Sequence, residues 1–181
     1  WISFLDPDGS AFWGQMDQRF GSGWISFLDP DGSAFWEQMD QLFGARWIDH
    51  FKLRRRRKDN IALIVGDLGF SVVEPFAEEF PERFINAGVA EQNMTGMAAG
   101  MASEGYHVFV YSIANFPTFR CAEQIRNDIV YHDLNVIVVS VGGGLCYGAL
   151  GISHHATEDI AILRSLPGLQ ILTPGDPKET E

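Results

Sequence analysis

Cysteine, positive charge and long apolar runs are all scarce in this chain. Its 181 residues include two cysteines, Cys121 and Cys146, and no CxxC pair. With no segment resembling a secretory leader, both read as reduced thiols, which makes the cytoplasm the expected setting. Lys and Arg number 13 against 24 Asp and Glu, a formal net charge of −11. That balance opposes bulk attraction to nucleic acid or to an anionic membrane surface, and neither is expected as a partner. No run approaches the ~20 apolar residues that a membrane-spanning helix needs. HExxH and Walker-type loops are absent, and no metal-ligand set stands out. The positive charge that is present is concentrated in Arg54-Arg55-Arg56-Arg57-Lys58. A run of this kind can bind nucleic acid or direct targeting, but before a buried strand it reads first as a solvated junction.

What remains is ordinary for a globular protein: 46% hydrophobic and 20% charged residues, enough for one domain with a core plus an appendage. The appendage is a tandem repeat. Residues 1–23 and 24–46 match at 19 of 23 positions, and the first 13 residues of each copy are identical. Each copy carries the turn signal Asp-Pro-Asp-Gly-Ser. In the second copy Phe35, Trp36, Met39, Leu42 and Phe43 mark the apolar face of a short helix, with Ser33 as a candidate cap. Two copies are too few for a solenoid. The identity of the copies and the Gly21-Ser22-Gly23 junction suggest a recent duplication or an engineered origin; an aromatic docking segment is the functional alternative. Residues 47–59 form the basic junction.

From residue 60 the pattern alternates between strand and helix. Ile61–Val65 is a continuous apolar run ending in Gly66-Asp67, as in a strand buried on both faces. A helix is predicted over 72–80, stopped at Pro81, then a strand at Phe84–Asn86 and a helix over 91–104 closed by Gly105. A strand over 107–111, a helix over 119–131, a strand at Val136–Val141, a helix over 157–166 capped by Thr157, and a strand over 169–172 follow. Pro177 opens a further helix. The alternation predicts an α/β domain, a mostly parallel sheet with helices on both faces. Ligands of such sheets bind at the carboxyl ends of the strands, so the loops 66–71, 88–91, 112–116 and 142–155 are the ones to examine.

One of those loops holds a costly charge. Glu91 follows a short apolar run and a glycine, then leads into Thr95-Gly96-Met97-Ala98-Ala99-Gly100. A carboxylate between apolar neighbours at a strand-to-helix turn needs a dedicated partner. A helix-start Glu stabilised by the macrodipole is the structural alternative.

Five segments bear on that choice: Gly66-Asp67-Leu68-Gly69, Phe84-Ile85-Asn86-Ala87-Gly88-Val89-Ala90-Glu91-Gln92-Asn93-Met94, Glu123-Gln124-Ile125-Arg126-Asn127-Asp128, Ser153-His154-His155-Ala156-Thr157-Glu158-Asp159 and Thr173-Pro174-Gly175-Asp176-Pro177. In order and spacing they resemble the pyrimidine-binding domain of transketolase-like, thiamine diphosphate-dependent enzymes, most of all the separate C-terminal subunit of two-subunit transketolases. The resemblance covers 60–181 and not the repeats. It implies the thiamine diphosphate-binding fold of pyrimidine-binding type, truncated here at its C-terminal end.

The resemblance also implies roles. Glu91 falls on the glutamate that hydrogen-bonds N1′ of the cofactor aminopyrimidine. A carboxyl in an apolar pocket can share a proton with a ring nitrogen of similar basicity, which favours the imino tautomer whose 4′-nitrogen removes the thiazolium C2 proton. Phe116 and Phe119 fall where aromatic rings stack on the pyrimidine, and Ile113 stands where a Phe is usual. Asn115 and Arg120 flank them. His154 falls on a histidine that contacts the donor sugar and assists proton transfer, while His155 is expected to point elsewhere. Gly142 and Leu150 stand where the family carries a His and an acidic residue that read sugar hydroxyls, which argues against copying the usual substrates. The triplet Gly142-Gly143-Gly144 is either a set of backbone donors or a tight turn.

The chain lacks the Gly-Asp-Gly and downstream Asn with which the family binds the metal-bridged diphosphate, so a partner subunit or domain is expected to hold Mg2+ or Ca2+ and complete the site. A homodimer or heterotetramer is implied, with Gly96 and Gly100 either at the subunit interface or packed on the chain's own sheet. The leading expectation is two-carbon ketol transfer between sugar phosphates or related sugars. Deoxyxylulose-phosphate-synthase-like or 2-oxo-acid decarboxylating chemistry, and a non-catalytic assembly module, are the alternatives.

Overall fold

The computed structural model describes residues 60–174. The repeats with their short helix, the basic run 54–58 and the helix expected at Pro177 lie outside the described residues. The domain is built on β1 (Ile61–Val65), whose five residues are all buried. Strands β2 (Phe84–Asn86), β3 (His107–Ile113) and β4 (Val136–Val141) complete a four-stranded sheet in the order β2-β1-β3-β4. Every pairing is parallel, with Ile64 opposite Ile85 on one side and Val110 on the other.

The two faces of the sheet are covered by different helices because successive side chains alternate. Ile61, Leu63, Val65, Phe109 and Tyr111 face α1 (Glu74–Glu79) and its approach, burying Val72, Val73, Phe76 and Phe80. Ile64, Val108 and Val110 face α2 (Glu91–Ser103), where Met94, Ala98 and Ala102 form the buried stripe. Alanine at two of those three positions lets α2 lie close to the sheet. A third cluster joins Ala99 of α2 to Cys121, Ile125 and Ile129. Burial of each large side chain here stabilises by about 1.5–3 kcal/mol.

The strands Ile61–Val65, Phe84–Asn86 and Val136–Val141 form where the apolar runs predict them, and β3 extends two residues beyond 111. The helices differ more. The segment predicted over 119–131 starts earlier, as α3 (Asn115–Arg120), breaks at Cys121 (φ −113°, ψ 7°), and resumes as α4 (Ala122–Gln124) running into a π-helical turn, Ile125–Val130. Pro117 falls in the first turn of α3, where a missing N–H has no intrahelical partner to lose. The helix predicted over 72–80 is shorter, because Gly69 (φ +92°) turns the chain and its carbonyl accepts from the N–H groups of Val72 and Val73. A Cβ at Gly69 would lie 2.9 Å from Val73 Cγ1 and 3.0 Å from Tyr111 Cε1, so both the turn and the close approach require glycine.

Two expectations near the end of the described residues are corrected. Thr157 does not cap a helix: its hydroxyl donates to Glu158 Oε2 at 2.8 Å, and the helix, α5, is only Asp159–Leu163. Residues 169–172 form no strand. The Leu169 N–H donates to the Leu166 carbonyl, and Leu169 packs under the third cluster. Hydrophobicity alone marks this stretch as a strand, but only Leu169 packs on the cluster, and Leu172 is 87% exposed.

Truncating Ile64 to Ala at the buried centre of the sheet is expected to cost about 2–5 kcal/mol in urea unfolding. Ile137→Ala, at a half-exposed position of β4, should cost less than about 1 kcal/mol.

Candidate functional site

The loops at the carboxyl ends of the strands bring most of the candidate residues together. Glu91 opens α2 directly after the β2 loop, where the alternation of apolar strand and small-residue helix leaves the carboxylate facing inward. It is 3% exposed. No side chain caps this helix start, and the Thr95 hydroxyl donates to the Glu91 carbonyl at 2.8 Å. The first turn of a 13-residue helix favours a negative charge through its dipole.

The dipole is not the only stabilisation. Arg120, the last residue of α3, donates from Nη1 to Glu91 Oε2 at 2.7 Å. Its side chain is 46% exposed, so the pair joins a buried carboxylate to a guanidinium at the protein surface. Sequence reasoning places Arg120 among the flanking residues and gives the whole carboxylate to the cofactor. The structure instead commits one oxygen to the protein. The other, Oε1, is buried without a hydrogen-bond partner among the described residues. Ser112 Oγ, on the same face of β3 as Val110, is likewise buried and unpaired. Both line the space above Gly66: a Cβ there would sit 3.6 Å from Ser112 Oγ and 3.9 Å from Glu91 Oε1.

Arg120 also connects Glu91 to the aromatics. Its guanidinium carbon lies 4.3 Å from the centroid of the Phe116 ring, a cation–π contact. Phe116 also contacts His154, with centroids 5.4 Å apart and ring planes at 67°. His154 Nδ1 lies 3.0 Å from the Ser153 hydroxyl, and the Asn115 amide donates to the Ser153 carbonyl, tying this loop to the start of α3. His155 points elsewhere, its Nε2 3.3 Å from the Gly148 carbonyl oxygen.

Glu91, Phe116 and His154 therefore form one line of contacts through Arg120. Phe119 stands outside that line and is 50% exposed. Ile113 ends β3 opposite Val141, on the face shared by Phe109 and Tyr111 rather than that of Ser112. The triplet 142–144 is a turn: Gly142 and Gly144 have φ of +71° and +67°, and the Gly144 N–H and carbonyl pair with Ala156. A Cβ at Gly96 or Gly100 would meet nothing within 4 Å, so neither packs on the domain's own sheet. Among the described residues no group of three or more His, Cys, Asp and Glu could hold a metal ion, and no helix is long and apolar enough to cross a membrane.

Comparison with known proteins follows the same residues. Residues 54–181 match the family described as transketolase, pyrimidine binding domain. The chain is 41% identical over 129 residues to an apulose-4-phosphate transketolase subunit of Phocaeicola vulgatus, covering 71% of this chain and 41% of that protein. It is 46% identical over 122 residues to a transketolase C-terminal section of Methanocaldococcus jannaschii, covering 67% and 39%. Among solved structures, a split gene transketolase described as an inactive beta4 tetramer matches with a TM-score of 0.65 and 36% identity, over 77% of this chain and 44% of that one. The chain thus spans about two-fifths of the length of these transketolase relatives.

Arg120→Ala is expected to destabilise the domain by about 1–3 kcal/mol in denaturant unfolding, because it strands the buried carboxylate. Solvent around the half-exposed guanidinium keeps the cost below that of a fully buried pair. Adding Glu91→Gln should recover part of it. Burial pushes the Cys121 thiol above its ordinary pKa; nearby Glu91 pushes the same way, while Thr95 and Arg120 act against it. Less thiolate forms at a given pH, so iodoacetamide at about pH 8 should modify half-buried Cys146 in the folded protein and Cys121 only after unfolding.

Proposed function

The chain belongs to the transketolase pyrimidine-binding domain family, and we propose that it is the pyrimidine-binding half of an enzyme that transfers a two-carbon ketol unit between sugar phosphates or related sugars. The observation that carries this reading is the division of labour at Glu91. Arg120 holds Oε2, and Oε1 is left buried, unpaired and beside a glycine that keeps the space open. A buried, unpaired carboxylate oxygen costs stability unless a ligand completes it.

The residues present fit the aminopyrimidine of thiamine diphosphate. Glu91 Oε1 would accept or share a proton at a ring nitrogen, with Arg120 fixing the carboxylate's orientation. Phe116 offers an aromatic surface already ordered by Arg120 and His154; Phe119, half exposed, and Ile113, on the opposite face of β3 from Ser112, do not join it. When bound, thiamine diphosphate supplies a nucleophilic carbon for addition to a ketose carbonyl. His154, in contact with Phe116 and with Ser153 at its Nδ1, would hold or move a proton at the donor sugar. The diphosphate and its Mg2+ or Ca2+ would be held by a partner subunit or domain, in a homodimer or heterotetramer. The inactivity stated for the beta4 tetramer of a split-gene transketolase supports that requirement.

A second reading keeps the cofactor and changes the reaction. The chain is also 38% identical over 128 residues to 1-deoxy-D-xylulose-5-phosphate synthase of Shouchella clausii, which favours testing pyruvate beside ketose phosphates as donor. In a complex with a diphosphate-binding subunit, thiamine diphosphate and Mg2+, Glu91→Gln is expected to lower turnover about 10²–10⁴-fold. Undiminished turnover would sink the cofactor role of Glu91.

A further inference from the structure

Position 142 carries no side chain, and the structure shows what stands there instead. A Cβ on Gly142 would lie 2.0 Å from Tyr147 Cε2, 2.6 Å from Cδ2 and 3.0 Å from Cζ. The Tyr147 ring fills the volume that any residue at 142 would need. The left-handed backbone at Gly142 (φ +71°) independently disfavours a side chain. The same ring lies 6.3 Å from the His154 ring, at 66°, within the range of an edge-to-face contact. Phe116 faces His154 with nearly the same geometry, 5.4 Å and 67°. The imidazole therefore has two aromatic neighbours, and the Ser153 hydroxyl lies 3.0 Å from its Nδ1.

The loop that presents Tyr147 is anchored on its own account. The Leu150 N–H donates to the Tyr147 carbonyl, the His155 ring lies within reach of the Gly148 carbonyl, and Gly144 pairs with Ala156. Moving Tyr147 would then expose one side of His154 without dismantling the loop.

We propose that Tyr147 is a positioning residue: seated over the bare Gly142, it braces the His154 imidazole between itself and Phe116, and it makes the wall beside His154 aromatic rather than charged. The role given to His154 rests on the reading above, but the bracing is a property of this chain alone. Imidazole orientation matters because a small misplacement of a proton-transfer group costs rate steeply.

The test uses the full chain with 15N-labelled histidine and long-range 1H–15N NMR. Tyr147→Ala and Gly142→Ala should shift the His154 ring resonances in the same direction, the first by removing the ring and the second by displacing it. Tyr147→Phe should restore the wild-type positions, and His132, packed on Tyr131, should not move. Tyr147→Leu keeps bulk without a ring and serves where the alanine variant does not fold. In the assembled enzyme with thiamine diphosphate, Tyr147→Ala should lower kcat about tenfold at unchanged cofactor affinity, with recovery in Tyr147→Phe. His154 resonances unmoved in both Tyr147→Leu and Gly142→Ala would overturn the proposal. Failure of the cofactor reading would show separately, as full turnover in Glu91→Gln, and would leave the NMR result standing.

Discussion

The organisation of this site depends on one charge that cannot be left alone. Glu91 is almost wholly buried at the start of α2, where a lone carboxylate would be expelled or neutralised. Arg120 reaches back from the end of α3 to hold one of its oxygens. That bond links two helices separated in sequence by the whole of β3. It also fixes the guanidinium over Phe116, which in turn contacts His154. Remove the carboxylate and the arginine loses its reason to lie there; remove the arginine and the carboxylate has only the helix dipole.

The parallel sheet makes that arrangement possible. Its order, β2-β1-β3-β4, places the loops after all four strands along one edge. The fully buried β1 holds them rigidly, with α1 covering one face and α2 the other. Glycines at Gly66, Gly69 and Gly142 then clear space where the loops crowd: two admit a ring or branched side chain, and Gly66 leaves room beside Glu91 and Ser112. The loops are accordingly filled by side chains except beside Gly66, where Glu91 Oε1 and Ser112 Oγ stay buried and unpaired among the described residues.

Much of this is legible in the sequence because burial dominates the local pattern. The runs Ile61–Val65, Phe84–Asn86 and Val136–Val141 could hardly be anything but strands between glycine and charge, and Glu91 stands out as a charge in an apolar frame. The family resemblance supplies a ligand for it. What sequence could not supply is the partner within the chain. Arg120 lies 29 positions away, and no local periodicity connects a helix end to a helix start across a strand. The break at Cys121 and the helical start before Pro117 are hidden for a related reason: a proline in a first turn looks like a proline that ends a helix. Residues 169–172 mislead because an apolar run of strand length need not pair: Leu169 packs on the third cluster, and Leu172 stays in solvent. Tyr147 carries no signal at all. Only the bare Gly142, seen in space, shows why it matters.

The central claim is that Glu91 divides its two oxygens between the protein and a cofactor. The most direct measurement is a crystal structure of the chain with a diphosphate-binding partner and thiamine diphosphate. The account predicts Arg120 still on Oε2 and a ring nitrogen of the aminopyrimidine within about 3 Å of Oε1. A pyrimidine bound away from Glu91, or an Arg120 displaced from the carboxylate by the ligand, would contradict it.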